Sequence, residues 1–334
     1  GTPYKVFTPF YRRGCLSAKE PRIPISPPAD ITLSNKKIGM NDINDIELLP
    51  NLRWDQEVFE GWDIGEKAAN LKVIDFIENR LYDYKDGRNF PSKKNVSRLS
   101  PHLHFGEVSP NQVWHTASHP KYMNSTGLDH FLSELGWREF THSLINYFPE
   151  MLKGNLRKDF DHFPWQENEK HLVAWKKGMT GYPIVDAGMR ELYETGWMHN
   201  RVRMVTASFL VKHLRIHWKE GEKHFRDCLL DFNEASNIAG WQWVAGCGAD
   251  AAPYFRIFNP ILQGERFDPL GKYVKKWIPE LSNVPKKFIH KPWELNEKIE
   301  GFELEKTYPK PIVIHEEARK AALEAFKSIK KKTM

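Results

Sequence analysis

Between Leu128 and Phe148 the apolar residues Leu128, Phe131, Leu132, Leu135, Phe140, Leu144, Ile145 and Phe148 recur at helical intervals, and Pro149 closes the run. That spacing draws one stripe along an α-helix and does not fit the two-residue period of a strand. The same period dominates from about Trp54 onward. A second helix is expected over Val185 to Thr195 with Gly196 as its stop, and a third from about His199 to Trp218, apolar on most faces and therefore buried. The tail from Glu316 reads as a helix ending in the solvated run Lys330 to Lys332. Strand-like alternation is scarce after residue 60 and there is no internal repeat, so the expected fold class is all-α, with one helical unit over residues 51–334. The first 50 residues contain PRIPISPPAD and few periodic apolar positions, and they read as an extended connector lying on a surface.

A chain of 334 residues can bury a sizeable core. Its formal net charge of +6 suits a polyanionic partner, although such an excess also serves simply to keep a surface hydrated. Twelve tryptophans and twenty phenylalanines, interleaved with arginines, tilt the reading toward nucleic acid, because aromatic faces stack bases while guanidinium groups hold phosphates. Cys15, Cys228 and Cys247 are too few and too scattered for a disulfide framework or a four-thiolate cluster. A reducing cytoplasm and no metal are expected. No apolar run approaches the ~20 residues that a bilayer requires, and no signal-peptide pattern is present, so no membrane partner is expected.

Several segments gather groups that carry chemistry. In NVSRLSPHLHFG, the hydroxyls of Ser97 and Ser100 flank Arg98 just before a proline and a helix start, which is either a capped helix or a phosphate cradle. In ELGWREF, Glu134, Trp137 and Arg138 fall at i, i+3 and i+4 and share a helical face, as a surface ion pair beside a packed ring or as one wall of a pocket. In GWMHNRVRM, Trp197, Asn200, Arg201 and Met204 follow i, i+3, i+4 and i+7, the ordinary spacing of a core-facing stripe. The stretch DFNEASNIAGWQWVAGCGADAAPYFRIFNP surrounds Asp231, Asn233 and Asn237 with Trp241, Trp243, three phenylalanines, a tyrosine and small residues, a mixture suited to a flat redox or stacking site. Trp165, Trp218 and Trp241 come from separate segments and by themselves read as buried core indoles.

In this order and spacing the motifs resemble the photolyase and cryptochrome family over nearly the whole chain. The resemblance implies the family's helical FAD-binding domain, without the α/β antenna domain that usually precedes it; the opening GTPYKVFTPFYRR is similar to the family's sequence where that domain ends. Val6, Phe7 and Phe10 would cover surface that it would otherwise hide. It implies a class I-like member that splits cyclobutane pyrimidine dimers in ultraviolet-damaged DNA, a carbon–carbon lyase reaction driven by light and by reduced FAD. A monomer with FAD as its only pigment and no antenna chromophore is expected.

Residue by residue, the resemblance places Tyr84, Ser97, Arg98, Leu99, Ser100, Phe131 and Arg138 at the cofactor, with Val96 standing where many members have a threonine. Asp231 paired with Arg203, Asn233 and Asn237 would surround the flavin ring, Asn237 facing its N5; Asn233 departs from the family's usual aspartate, which would raise the reduction potential. Glu134 would hydrogen-bond the flipped pyrimidine and Trp137 would stack on it, opposite Asn200, Arg201 and Met204, with Trp243 at the same pocket. Members that repair (6-4) photoproducts carry histidines at the positions of Asn200 and Met204, where a proton donor is needed. Trp241, Trp218 and Trp165 match the chain of indoles that carries electrons to the flavin, Trp165 outermost. Arg88, Arg201 and Arg256 would contact the duplex, with Gln263 nearby and Lys212 and Lys275 as further basic candidates. The alternatives are a cryptochrome-like signalling photoreceptor and a flavin-free helical module that binds nucleic acid.

Overall fold

The computed structural model describes residues 2–34, 43–48 and 55–332. The helices that build its centre are α1 (Glu66–Asn79), α2 (Leu128–Tyr147), α3 (Pro183–Thr195), α4 (Asn200–Ser208), α5 (Trp218–Cys228), α6 (Glu234–Ala245) and α7 (His315–Lys332). Among the described residues there is no strand, only the isolated bridges Ile299–Phe302 and Leu304–Tyr308. The all-α expectation holds. No described helix is long and apolar enough to cross a membrane.

Local chemistry sets the boundaries. Pro183 opens α3, where its missing N–H would have had no partner anyway, and Gly196 stops it in the left-handed region at φ 64°. Asn233 caps α6 by accepting from the Ser236 amide at 2.9 Å, and Gly246 ends that helix at φ 84°. The third expected helix is in fact two. α4 gives way at Phe209 to a π-helical turn, Phe209–His213; Arg215 adopts φ 52°, and His217 caps α5 through the Lys219 amide at 3.1 Å. The break escapes an apolar-pattern reading because Leu210, Val211, Leu214 and Ile216 stay buried straight through it.

Three apolar clusters result. The largest joins α3, α4, α5 and α7; a second packs α1 with Leu99, Phe131 and Leu132; a third gathers Phe7, Tyr11, Phe140, Leu144, Met151 and Ile238. α2 runs between the second and third and also packs on α6, so the middle of α2 faces the place where the clusters meet. The third cluster corrects the reading of an extended N-terminal connector. Phe7–Pro9 is α-helical and Phe10–Cys15 π-helical, because Phe7, Phe10 and Tyr11 bury against α2; Gly136 permits the approach, since a Cβ there would lie 2.4 Å from the Tyr11 ring. Residues 18–34 are without regular structure and mostly exposed, and the boundary expected at 50/51 lies outside the described residues.

Candidate functional site

Two cavities of about 400 and 340 Å³ open where the clusters meet, each within the range of small-molecule sites. They share a wall built from Glu134, Trp137, Thr141, Arg203, Asp231 and Asn233, so they are two lobes of one bent hollow. Helix geometry explains the wall. Glu134, Trp137 and Thr141 lie one turn apart on α2, and Asn200, Arg203, Met204 and Ala207 present one face of α4.

The first lobe gathers hydroxyl and guanidinium side chains. Tyr84, Ser97, Arg98, Leu99, Ser100, Phe131 and Arg138 all line it, as does Val96. Arg98 takes φ 52°, its guanidinium is stacked between the indoles of Trp62 at 4.2 Å and Trp197 at 4.8 Å, and its buried Nε has no partner. Tyr84 packs edge-on against Phe131, and burial raises its phenol pKa, so it is a neutral wall.

The second lobe is flat and carries carboxamides, carboxylates and indoles. Asn200, Met204, Asn237, Trp241 and Trp243 line it beside Arg88, which is hydrogen-bonded to Glu134. Arg203 donates to Asp231 Oδ2 at 2.7 Å, leaving the buried Oδ1 without a partner. A buried acceptor of that kind is costly unless a ligand N–H satisfies it. Asn237 donates to Glu222 Oε1 at 3.1 Å, so its carboxamide orientation is fixed. Gly240 meets nothing within 4 Å at the place a Cβ would occupy, which leaves α6 a bare surface toward the hollow. These features fit a bent dinucleotide with a planar ring at one end.

Some expected residues lie elsewhere. Arg201 lines neither lobe: one position on from Asn200, it turns sideways to Asn89 at 2.5 Å and lies over the Phe267 ring. Trp197 precedes α4 instead of belonging to it; it lines the first lobe beside Asn200 and does not reach the second, where Met204 lies. Lys212 is 2% exposed and cannot touch a duplex. Arg256 is exposed, while Lys275 and Gln263 are half-buried outside both lobes.

Of the three indoles, Trp241 lines the second lobe and Trp218 is buried, donating to Asn155 at 2.8 Å. Trp165 is half-buried, and the imidazole of His217 stands between it and Trp218, with centroids 4.9 and 5.5 Å away.

Sequence reasoning missed several participants. Thr141 and Ser236 share a hydrogen bond of 3.1 Å across the shared wall, and Phe7 stacks on Trp137 at 3.8 Å with an interplanar angle of 9°. The ELGWREF face could have pointed to Thr141, which sits one turn beyond Trp137; nothing local signals Phe7. Arg88, Arg98 and Arg203 line the hollow, and Arg201 lies just beside it. Burial first, then the guanidiniums of Arg201, Arg203 and Arg88, bring His199 down to about 3.

The sequence matches the family described as the FAD binding domain of DNA photolyase over residues 131–328. It is 49% identical to the deoxyribodipyrimidine photo-lyase of Agrobacterium fabrum, covering 100% of this chain and 70% of that one. It is 37% identical to Cryptochrome-1 of Arabidopsis thaliana, over 98% of this chain and 50% of that protein. Among solved structures, a bacterial class III photolyase from Agrobacterium tumefaciens superposes with a TM-score of 0.94 at 48% identity, covering 99% of this chain and 70% of that one. An archaeal photolyase from Sulfolobus tokodaii, described as holding two FAD molecules, gives 0.79 at 33% identity over 98% of this chain and 68% of that one.

Proposed function

The chain belongs to the DNA photolyase and cryptochrome family, and from that premise we propose that it repairs cyclobutane pyrimidine dimers in ultraviolet-damaged DNA under light, with FAD in the bent hollow. The observation that carries this reading is the continuity of the two lobes: a hydroxyl and guanidinium end runs into a carboxylate, carboxamide and indole end across Asp231, Arg203 and Glu134. The class I-like expectation gives way to class III as the finer assignment, since that is how the neighbour at TM-score 0.94 is described.

Bound FAD, reduced and illuminated, supplies an electron to the dimer. The side chains of this chain do the rest. Ser97, Ser100 and the backbone around Arg98 would hold the diphosphate, and the unpartnered Asp231 Oδ1 would accept from a ring N–H, with Arg203 balancing its charge. Asn237, its amide held by Glu222 at 3.1 Å, would turn its carbonyl oxygen to the flavin ring. Trp137 and Trp243 offer two faces for the flipped bases, and Glu134 accepts from a pyrimidine N–H with Arg88 beside it. Asn200 and Met204 line this lobe, and no histidine is among the described residues that do. A histidine proton donor of the kind a (6-4) photoproduct needs is therefore not on this wall, which favours the cyclobutane dimer. Arg256, from an exposed loop, serves as a phosphate contact whose share of the affinity falls with salt.

The chain is further inferred to work as a cytoplasmic monomer with one FAD as its only pigment. The deciding assay mixes reduced protein with ultraviolet-damaged oligothymidylate and follows recovery of thymine absorbance with and without blue light. Light-dependent recovery is expected. Absent or light-independent recovery overturns the reading, and a flavin that photoreduces without repair returns the signalling alternative.

A further inference from the structure

Lys212 occupies the π-helical turn Phe209–His213 and is 2% exposed. A buried ammonium is costly unless it is hydrogen-bonded. Its Nζ donates to the carbonyl oxygen of Arg256 at 3.0 Å and lies 5.4 Å from the Tyr254 ring. Tyr254 is itself buried, stacked on Phe326 of α7 at 4.8 Å. The stretch from Ala252 to Ile257 has no helix or strand of its own, and it presents Phe255, 63% exposed, and the exposed Arg256 outward. Its backbone is further tied by the Ala252 amide to the Trp243 carbonyl at 3.2 Å, the Arg256 amide to the Pro253 carbonyl at 2.9 Å and the Ile257 amide to the Phe255 carbonyl at 3.0 Å, and Tyr254 also packs on Phe160 and Phe163. Trp243 lines the second lobe, so the loop continues the surface on which damaged bases would arrive.

We propose that Lys212 is a positioning residue for DNA: from inside the core it grips the Arg256 carbonyl and thereby sets how Phe255 and Arg256 meet the damaged strand. This rests on Arg256 being a phosphate contact, as proposed above. An aliphatic side chain would fill the same space with no charge to desolvate, so the chemical reason for an amine here is the carbonyl it holds. π-Helical turns are concentrated at functional sites, and this one places the amine where the loop crosses.

The groups facing Lys212 are few. His213 on the same turn hydrogen-bonds His315 of α7 at 2.8 Å, and burial keeps both rings neutral, with His213 at about 3. Burial raises the Tyr254 phenol, with the nearby Arg215 guanidinium opposing it. Burial first and Arg256 second bring Lys212 down to about 8. Within this cluster, then, raising the pH from 7 to 9.5 neutralises Lys212 and weakens its hold on the carbonyl.

The test measures binding of the FAD-loaded chain, in the dark, to an oligothymidylate carrying a single dimer. Lys212→Met is expected to weaken binding about tenfold when Arg256 is present and less than about twofold in an Arg256→Ala background, the coupling of two residues acting through one contact. Unchanged flavin absorbance certifies the fold. Equal losses in both backgrounds, or no loss with Arg256 present, overturn the proposal. Arg256→Ala without any loss removes both the phosphate contact and this inference, while the repair assay continues to judge the larger reading. Should Lys212→Met not fold, the unmodified chain and Arg256→Ala are compared from pH 7 to 9.5. The unmodified chain is expected to lose roughly threefold more affinity, as a charged hydrogen bond becomes neutral; parallel pH curves sink the idea.

Discussion

His199 shows how one side chain is committed to both architecture and charge. Its Nδ1 caps α4 by accepting from the Arg201 amide at 3.2 Å, which leaves the proton on Nε2, a buried atom with no partner. Charging the ring would add a cation to a sealed space already facing Arg201, Arg203 and Arg88. With a folded-state pKa of about 3 against an ordinary 6.5, the unfolded chain binds the extra proton between those values. Stability from this group is therefore present above about pH 6.5 and is lost as the pH falls toward 3. Between pH 7.5 and 5 the loss amounts to about 2 kcal/mol. His199→Asn keeps an acceptor for the cap. Urea titrations at the two pH values should show a stability loss smaller by that amount in the variant, and equal losses would mean that the ring is already solvated.

At the scale of elements, the contact between α5 and α6 decides where Trp241 sits. A Cβ at Gly221 would fall 2.0 Å from Cη2 of Trp241, so the indole rests directly on the backbone of α5, less than one turn beyond Trp218. Trp241 also meets Trp175 edge-on at 6.1 Å, which leaves it no alternative seat. Gly221→Val is expected to push the indole toward the second lobe. Flavin photoreduction should slow at least about tenfold and cofactor retention should fall, as overpacking by a few atoms costs roughly 1–3 kcal/mol. A folded variant with normal photoreduction kinetics would show that the ring had room. Such contacts mark the limit of what the sequence discloses. α2 and α3 were legible because their signals are local: a stripe of eight apolar residues before Pro149, and a glycine stop at Gly196. The break between α4 and α5 was not, since burial is continuous across Arg215 while the capping imidazole of His217 looks like any other polar residue. The site residues were legible mainly through family resemblance. Their spacing alone left Glu134, Trp137 and Arg138 as readily a surface ion pair, and gave Lys212 no mark of its burial.

For the whole molecule, the hollow is a liability until it is filled. Three apolar clusters meet around a space whose walls carry the unpartnered Asp231 Oδ1 and Trp241 Nε1, together with the exposed backbone at Gly240. A ligand satisfying these groups binds the folded chain and not the unfolded one, so it stabilises by mass action: about 4 kcal/mol when free FAD stands at a thousand times its dissociation constant. Spread over the unfolding entropy of a chain this long, that shifts the melting temperature by about 6 °C. Stripping FAD should lower the melting temperature by that order, and adding FAD back should restore it in proportion to the flavin bound. The same titration counts pigments. One FAD released per chain on denaturation, with no folate or deazaflavin absorbance beside it, is expected from a single hollow whose two lobes share Arg203 and Asp231. Two flavins released per chain would place a second dinucleotide site outside this hollow; an unchanged melting temperature on removal would mean that the three clusters hold the helices apart without help from the cofactor.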